Sequence, residues 1–390
     1  MHIGVVGLCE AGNLGDDLIF LSLAHHIARS APGAKLRFLS HRYELNRAIT
    51  ELGIDEVLSI ERVYNTERPM VSAHTPFDDC DIVFFGGGGL LQTTHHPLRP
   101  YHWLRFLPRD RDVRVVAIGL GVGPVSRLWQ WYFTRLGKPF DYMYLRDIES
   151  IELAGLWGWQ GLLSKDLVSP TFVRAILAGR ASTKKSGCVG IAVRSWPGLS
   201  AAKVAAVAES IAADYGLSSA RIFVLESKSG RGVDVDFSEQ IALSLNMSCE
   251  VIAYTGDNLV DFVDSMSGCD VAVSMKYHSS VIWASFDVPL VPITYAPKTS
   301  ALFGHVFRGL EVLEGRPRTS ILLSPEGVEP AELVDYHLTM TPDNSIAYER
   351  ARYPMRNSAR YVMAVSAFIV SCTQKFKSDL SKLRLTSSVD

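Results

Sequence analysis

Short apolar runs alternate with amphipathic stretches along most of the chain. This alternation predicts strands and helices that follow one another, which is the pattern of a doubly wound parallel sheet. In the first half, residues 16–31 have helical periodicity. The strands predicted there are residues 3–7, 35–40, 81–85, 113–118 and 141–145.

A second series of strands starts after a break in this pattern. Small polar residues replace apolar ones at residues 179–187, which predicts an interdomain linker. The strands predicted beyond it are residues 188–193, 221–225, 250–253, 269–273 and 288–293. The chain is therefore predicted to form two Rossmann-like α/β domains, residues 1–178 and 188–315. Residues 316–390 are predicted to be a C-terminal helical extension and tail, with helices at 345–352 and 356–372.

Composition agrees with a two-domain globular protein. At 390 residues the chain exceeds what one hydrophobic core usually serves, and 47% hydrophobic with 21% charged residues excludes wholesale disorder. A net charge of -2 gives no electrostatic case for nucleic acid as the main partner. The N-terminus lacks the features of a signal peptide, and no apolar run has the length of a membrane span. We therefore predict a cytoplasmic protein.

Candidate chemistry is concentrated at residues 274–298. This segment reads as strand, helix and strand, and the loop ends carry Lys276, His278, Tyr295 and Lys298. In an open parallel sheet, ligands sit beyond the carboxyl ends of the strands, so these four side chains are expected to face one cavity. Cations, an imidazole and a helix N-terminus favour a small, strongly anionic substrate.

Glycine-rich corners follow several strands of the first half. The first contains Gly12, Asn13 and Gly15 beside Asp16, and it is neither a Walker loop nor a dinucleotide fingerprint. Asp16 is interpreted either as a helix cap or as a functional residue.

The loops after later strands of the first half also allow either a structural or a functional interpretation. Consecutive glycines follow the third strand, and their entropic cost favours close approach of the backbone to a ligand or to the other domain; they are Gly86, Gly87, Gly88 and Gly89. Gly121 lies in a similar corner after the next strand. Arg146 and Asp147 end the following strand, where a plain surface pair or a cap is the alternative to a functional role.

In this order, the motifs resemble those of the polysaccharide pyruvyl transferase family. The matching segments are G-N-L-G-D-D-L-I, D-I-V-F-F-G-G-G-G-L-L, G-L-G-V-G-P, L-R-D-I-E-S, G-I-A-V-R-S-W, and S-M-K-Y-H followed by P-L-V-P-I-T-Y-A-P-K. The resemblance implies a GT-B-like fold, in which two Rossmann-like domains face a cleft. It also implies transfer of a pyruvyl group from phosphoenolpyruvate to a sugar, with a pyruvate ketal as the product.

Two departures from the family pattern stand out. Lys276 occupies a position where the family usually has arginine, so the charge is kept but the bidentate fork is lost. The segment at residues 226–234, E-S-K-S-G-R-G-V-D, lacks the P-x-Q pattern common there.

The donor implied by the resemblance carries a carboxylate and a phosphate, so its site must supply several cations. Arg194, Lys276 and Lys298, with Tyr295, are the predicted donor-binding residues. His278 is the predicted proton carrier, although a lone histidine is more often a capping or core residue.

On the other side of the cleft, Asp16 is a candidate base for a sugar hydroxyl. Arg146, Asp147 and His95 are assigned to the acceptor side, and the glycine corners are expected to line the cleft. The six cysteines contain no C-x-x-C and no metal-ligand spacing, and the clustered histidines lack acidic ligands, so neither a metal nor a cofactor is predicted.

Two stretches of the first half mix aromatic residues with arginine, at residues 99–111 and 127–138. Such mixing suits a membrane interface, a buried helix whose arginines reach the surface, or a sugar-stacking face. A lipid-linked oligosaccharide acceptor would favour the membrane interface, because the enzyme would meet its substrate at the membrane. The residues predicted to make this peripheral membrane contact are Trp129, Trp131, Phe133 and Arg135.

Two other functions fit the same pattern. A GT-B glycosyltransferase with a nucleotide-sugar donor would share the architecture and the glycine corners. A non-catalytic glycan-binding relative would explain Lys276, but the retention of Arg194 and His278 counts against it.

Overall fold

The fold was analysed in a computed structural model of the chain. The residues described are 1–41, 45–64, 75–94, 96–109, 112–136, 138–180, 185–227, 233–306, 308–313, 321–322 and 327–339. His95 and the helices predicted at 345–352 and 356–372 lie outside these ranges.

The first half forms a parallel sheet of seven described strands in the order β3-β2-β1-β4-β5-β6-β7. The strands are β1 His2–Cys9, β2 Lys35–Ser40, β3 Ser59–Tyr64, β4 Ile82–Leu91, β5 Arg114–Val122, β6 Tyr142–Leu145 and β7 Leu162–Leu163. The order reverses between β1 and β4, which makes their carboxyl ends the topological switch point where ligands bind in such sheets.

The second half forms a sheet of six described strands in the order β10-β9-β8-β11-β12-β13. They are β8 Cys188–Ala192, β9 Ser219–Val224, β10 Ser248–Ala253, β11 Val271–Ser274, β12 Leu290–Thr294 and β13 Glu311–Val312. All pair in parallel except β13, which is antiparallel to β12. The switch point of this sheet lies between β8 and β11.

Helices connect the strands of both sheets. Those of the first half are α1 Leu14–Ser30, α2 Asn46–Glu51, α3 Ile54–Val57, α4 Arg99–Leu104, α5 Arg127–Leu136, α6 Ile148–Gly155 and α7 Pro170–Ile176. Those that follow are α8 Ala201–Tyr215, α9 Val233–Ser244, α10 Leu259–Ser267, α11 Tyr277–Ser285, α12 Pro297–Ala301 and α13 Pro330–Thr339. None of these helices combines the length and the apolar character needed to cross a bilayer.

The predicted fold class, two Rossmann-like parallel-sheet units, is confirmed by this topology. Alternation along the sequence located the central strands of both sheets, but it missed the short or edge strands β3, β7 and β13. It also ended β4 too early, because Gly86 to Gly89 belong to that strand instead of a loop after it. The domain boundaries at residues 178, 188 and 315 stay a prediction.

The N-terminal turn of α1 joins the two halves. The backbone N–H of Leu14 donates to the carbonyl of Leu225 at 3.0 Å, and the Tyr254 hydroxyl donates to Asp17 at 2.9 Å. Leu14 and Leu18 share one buried cluster with Leu225 and Tyr254. This continuous packing holds the carboxyl-terminal edges of the two sheets against one another.

The chain returns to the first sheet after β13. Helix α13 packs on α1, and its His337 carbonyl accepts a hydrogen bond from Arg114 at 2.9 Å. Lys165 and Glu329 form an ion pair at 2.6 Å. Part of the predicted C-terminal extension therefore belongs structurally with the first half.

Candidate active site

The two sheet edges meet where α1 and α11 begin. Gly15 is the second residue of α1, and a Cβ atom built on it would lie 2.1 Å from Nδ1 of His278. Only glycine leaves room for the imidazole at this position. His278 therefore lies in the cleft against the other half of the chain, as the position of its motif after β11 predicts.

Among the described residues, Asp166 supplies the one carboxylate within 4.0 Å of a ring nitrogen of His278. Its Oδ1 lies 3.8 Å from that nitrogen, which is an electrostatic contact longer than a hydrogen bond. Burial would raise the pKa of Asp166, but His278 and Arg146 reverse this effect and hold it at about 2. The carboxylate stays charged, while Nε2 of His278 is buried and has no hydrogen-bond partner among the described residues.

Arg146 contacts this carboxylate from the end of β6. Its Nη1 donates to Oδ2 of Asp166 at 3.3 Å, and its guanidinium lies 5.7 Å from the ring centre of Tyr277. A Cβ atom on Gly121 would come within 2.8 Å of the same guanidinium, so this glycine makes room for it. With its side chain only 11% exposed, Arg146 is not the plain surface pair considered from sequence. Asp147 does cap α6, because it accepts the N–H of Ser150 at 2.7 Å.

Two cations of the second half enter the cleft without an ion-pair partner among the described residues. They are Arg194, just beyond β8, and Lys298, in the first turn of α12. The side chain of Lys298 is exposed to solvent, but protein groups surround it closely enough to remove part of its hydration. This desolvation, together with the charges of Arg146 and Arg194, lowers the pKa of Lys298 to about 8. Arg194 lies beside the Tyr295 hydroxyl, and its buried Nε has no hydrogen-bond partner.

Lys276 differs from these two cations. Its ammonium group is paired with Asp234 of α9, which is buried. The carbonyl of Lys276 accepts hydroxyl hydrogen bonds from Ser279 and Ser280 at 2.8 and 3.1 Å. The residue thus fixes the start of α11, and one of the three donors of its ammonium group is already used by Asp234.

Asp16 lies on α1 and faces the same cleft. Asn13 caps this helix by accepting the N–H of Gly15 at 3.0 Å, so the capping interpretation of Asp16 is wrong. Burial raises the pKa of Asp16 to about 6, even though His278, Arg99 and Lys298 act in the opposite direction. The carboxylate is therefore close to a cation from each half and is mostly ionised at neutral pH.

A model of the family described as polysaccharide pyruvyl transferase matches residues 13–297. The chain belongs to this family. The matched range includes Asp16, Arg146, Asp166, Arg194 and His278, and it ends one residue before Lys298. A comparison with curated protein sequences gives no match.

Several solved structures are similar in fold. A UDP-GlcNAc 2-epimerase from Methanocaldococcus jannaschii is 11% identical, with a TM-score of 0.49 over 79% of this chain and 89% of that one. The UDP-GlcNAc 2-epimerase from Neisseria meningitidis bound to UDP-GlcNAc is 13% identical, with a TM-score of 0.46 over 80% and 88%. An E. coli heptosyltransferase with ADP is 12% identical, with a TM-score of 0.41 over 76% and 88%. Each TM-score is below 0.5, so the architecture rests on the strand order of the two sheets.

The glycines of β4 serve packing within the first half. A Cβ atom on Gly86 would lie 2.3 Å from the carbonyl of Ile118, and one on Gly87 would lie 1.9 Å from Ile19 of α1. The predicted close approach of the backbone is present, but its partners are β5 and α1 instead of the other domain. Of these four glycines, Gly88 is the one next to Asp16: a Cβ atom built on it would lie 3.6 Å from Oδ1 of that residue.

The aromatic residues of α5 divide between core and surface. Trp129 and Phe133 are 2% and 1% exposed, and the Trp129 indole donates to the Pro97 carbonyl at 2.6 Å. Assigning these two residues to a membrane-facing surface is therefore wrong. Trp131 is 57% exposed, and the guanidinium of Arg135 lies 5.8 Å from its ring centre.

Sequence reasoning missed Asp166 and Arg99. Asp166 follows β7, a two-residue strand that is too short to show alternation. Arg99 was grouped with an aromatic and basic stretch, but its guanidinium is close enough to Asp16 to affect its charge state. Within the described residues, no group of three or more His, Cys, Asp or Glu could hold a metal ion.

Proposed function

We propose that the protein transfers a pyruvyl group from phosphoenolpyruvate to a sugar of a polysaccharide or of its lipid-linked precursor, and forms a pyruvate ketal. The observation that carries this proposal is that Arg194 and Lys298, two cations of the cleft in which His278 lies, have no ion-pair partner among the described residues. Phosphoenolpyruvate presents a phosphate and a carboxylate on one carbon, which matches two such cations.

His278 is proposed to protonate the methylene carbon of the donor. This step makes the methyl group and leaves an oxocarbenium-like centre on the carbon that carries the phosphate and the carboxylate. A sugar hydroxyl then attacks that carbon, and the phosphate leaves as inorganic phosphate. Loss of phosphate leaves a new oxocarbenium-like centre, a second hydroxyl attacks it to close the ketal, and the proton of that hydroxyl is taken up by the released phosphate.

Asp16 is proposed to take the proton of the attacking hydroxyl. With a pKa of about 6, it is mainly a carboxylate at neutral pH and is still basic enough to accept a proton. Its place on α1 supports an acceptor bound on the side of the first sheet, where Arg146 and Arg99 also lie. Tyr295 is proposed to support the donor through its contact with Arg194.

The proposal is tested by incubating the purified protein with phosphoenolpyruvate and candidate lipid-linked oligosaccharides. Phosphate release should depend on both substrates, and in deuterated water the new methyl group should carry deuterium. Isothermal titration should show binding of phosphoenolpyruvate and none of UDP-sugars. Binding of UDP-sugars alone would favour a nucleotide-sugar glycosyltransferase and overturn the proposal.

Peripheral membrane contact is proposed for the exposed face of α5. Its support is Trp131 with the neighbouring Leu128 and Arg135, because aromatic rings and arginine favour the headgroup region. Flotation with anionic liposomes should show weak, salt-sensitive association that Trp131→Ser abolishes. Equal flotation of Trp131→Ser and wild type would remove this surface from the proposal.

A further inference from the structure

The stretch from the end of β4 through α4 carries basic side chains and no acidic ones. Between Asp81 and Asp110 the sequence contains neither aspartate nor glutamate. It does contain three arginines and three histidines, which are Arg99, Arg105, Arg109, His95, His96 and His102. A stretch with charge of one sign raises the local concentration of ligands of the opposite sign, so this part of the chain favours an anion.

This basic stretch begins at the switch point of the first sheet. The strand order reverses between β1 and β4, so the segments that follow these two strands flank the crevice where ligands bind in such sheets. The segment after β1 leads to Asp16 on α1, and the segment after β4 leads to Arg99 on α4. Arg99 and Asp16 are close enough for each to affect the charge state of the other. The basic stretch therefore adjoins the side of the cleft on which the acceptor is proposed to bind.

Arg99 has unused hydrogen-bond donors at this edge. Its Nε is buried and has no hydrogen-bond partner among the described residues. No carboxylate of the described residues lies within 4.0 Å of its guanidinium, so Asp16 acts on it without forming an ion pair. Burial lowers the pKa of Arg99, and Asp16 acts in the opposite direction. A planar guanidinium that is partly desolvated and unpaired can bind a phosphate or a carboxylate through two hydrogen bonds.

Two histidines accompany Arg99. Nδ1 of His96 accepts the backbone N–H of Leu98 at 3.2 Å, so a neutral His96 carries its proton on Nε2 and can donate it. His102 follows Arg99 by three residues on α4, which places both side chains on one face of the helix. Burial and four basic neighbours, of which Arg105 acts most strongly, lower the pKa of His102 to about 4. The surroundings of α4 are therefore positive beyond Arg99 itself.

We propose that Arg99, at the centre of this basic stretch, binds an anionic group of the acceptor. The group is a phosphate or a carboxylate, so the acceptor is an acidic glycan or a glycan still joined to its carrier through a diphosphate. This inference rests on the proposed function, since it names the class of acceptor for the same cleft. The donor does not require Arg99, because Arg194 and Lys298 of the second sheet match its two anionic groups. A neutral acceptor would leave the buried Nε of Arg99 without a partner, which costs free energy.

The first measurement needs no turnover. Inorganic diphosphate and glucuronate are titrated into the protein by calorimetry, with phosphoenolpyruvate present to occupy Arg194 and Lys298. Arg99→Gln should weaken binding of one probe by about 10- to 100-fold, the scale of a charge-assisted hydrogen bond. A loss for diphosphate identifies the carrier linkage as the anion, and a loss for glucuronate identifies a carboxylate of the glycan. Arg29→Gln is the matched control, because it removes the same charge from the exposed last turn of α1 and should bind both probes as the wild type does.

The second measurement is turnover with an anionic acceptor and with a neutral oligosaccharide. Arg99→Gln should raise KM for the anionic acceptor by about 10-fold or more, and it should change kcat and the KM for phosphoenolpyruvate much less. KM for the neutral acceptor should be the same in the variant and in the wild type. Arg99→Lys keeps the charge but loses the bidentate fork, so it should show a smaller rise of the same kind.

Binding of both probes to Arg99→Gln with wild-type affinity would overturn the proposal, as would an equal loss in Arg29→Gln. A loss of phosphoenolpyruvate affinity in Arg99→Gln would assign Arg99 to the donor and overturn it as well. If Arg99→Gln does not fold, Arg99→Lys decides by the same titration. Anion binding that depends on Arg99 in a protein without any pyruvyl transfer would leave the anion site standing and reject the proposed function instead.

Discussion

The first and second sheets bring different side chains to the cleft. The first supplies the carboxylates Asp16 and Asp166 with a cation near each, Arg146 paired with Asp166 and Arg99 close to Asp16. The second supplies His278 and two cations that have no ion-pair partner among the described residues, Arg194 and Lys298. An anionic donor is therefore best accommodated on the second sheet, and a hydroxyl acceptor that must lose protons is best accommodated on the first.

Of the variants considered, removal of His278 is expected to lower turnover most, because His278 is the proposed proton donor of the second sheet. His278→Ala is expected to lower kcat by about 100-fold or more and to change donor affinity much less. Steady-state kinetics with phosphoenolpyruvate, compared with titration of donor binding, measures both quantities. Turnover near that of the wild type would reduce His278 to a structural residue.

Asp16→Asn tests the corresponding role on the first sheet. It is expected to lower kcat by about 10- to 100-fold at pH 8. Since burial raises the pKa of Asp16 to about 6, the wild-type rate should increase as pH rises through 6, when the carboxylate forms. The variant should lack this acidic limb; a limb that persists unchanged in Asp16→Asn would assign it to another group.

Gly15→Ala sharpens the comparison at the contact between the two edges. The new methyl group would lie 2.1 Å from Nδ1 of His278, so the imidazole must move. We expect kcat to fall by about 10-fold and the melting temperature to fall as well, because overpacking of a buried site costs about 1–3 kcal/mol and outweighs the helix propensity of alanine. Wild-type turnover and stability in Gly15→Ala would contradict the close contact between the two edges.

Lys298 and Lys276 form a matched pair within the second sheet. Lys298→Ala should weaken donor binding by about 1.5–3 kcal/mol, the scale of a charge-assisted hydrogen bond. Lys276→Ala should weaken it less, because Asp234 already neutralises that ammonium group. The two variants are compared by isothermal titration, and equal losses would contradict the distinction drawn from their pairing.

Lys298 also predicts that donor affinity depends on pH. Desolvation and the neighbouring arginines lower the pKa of Lys298 to about 8, so its ammonium group is half charged at pH 8, mostly charged below that pH and mostly neutral above it. Donor affinity should decline as pH rises through 8, and Lys298→Arg should remove the decline. A decline that Lys298→Arg leaves intact would exclude Lys298 as its source.

The sequence alone determined the two parallel sheets and the strand-helix-strand unit that presents His278 and Lys298. Alternating apolar residues mark buried strands locally, and cations or glycines just beyond them lie at the ligand-binding edge by topology. For this reason Arg194, Lys276 and Tyr295 were also located correctly at the ends of their strands.

Only the tertiary structure decided which of these side chains are free to act. Asp166 meets His278 from 112 positions away and Lys276 meets Asp234 from 42, and no local pattern encodes such pairs. The face of α5 was settled in the same way, because packing buries Trp129 and leaves Trp131 exposed. Periodicity fixes where a side chain lies along its element, whereas its charge state and its partner depend on groups that folding brings from distant parts of the chain.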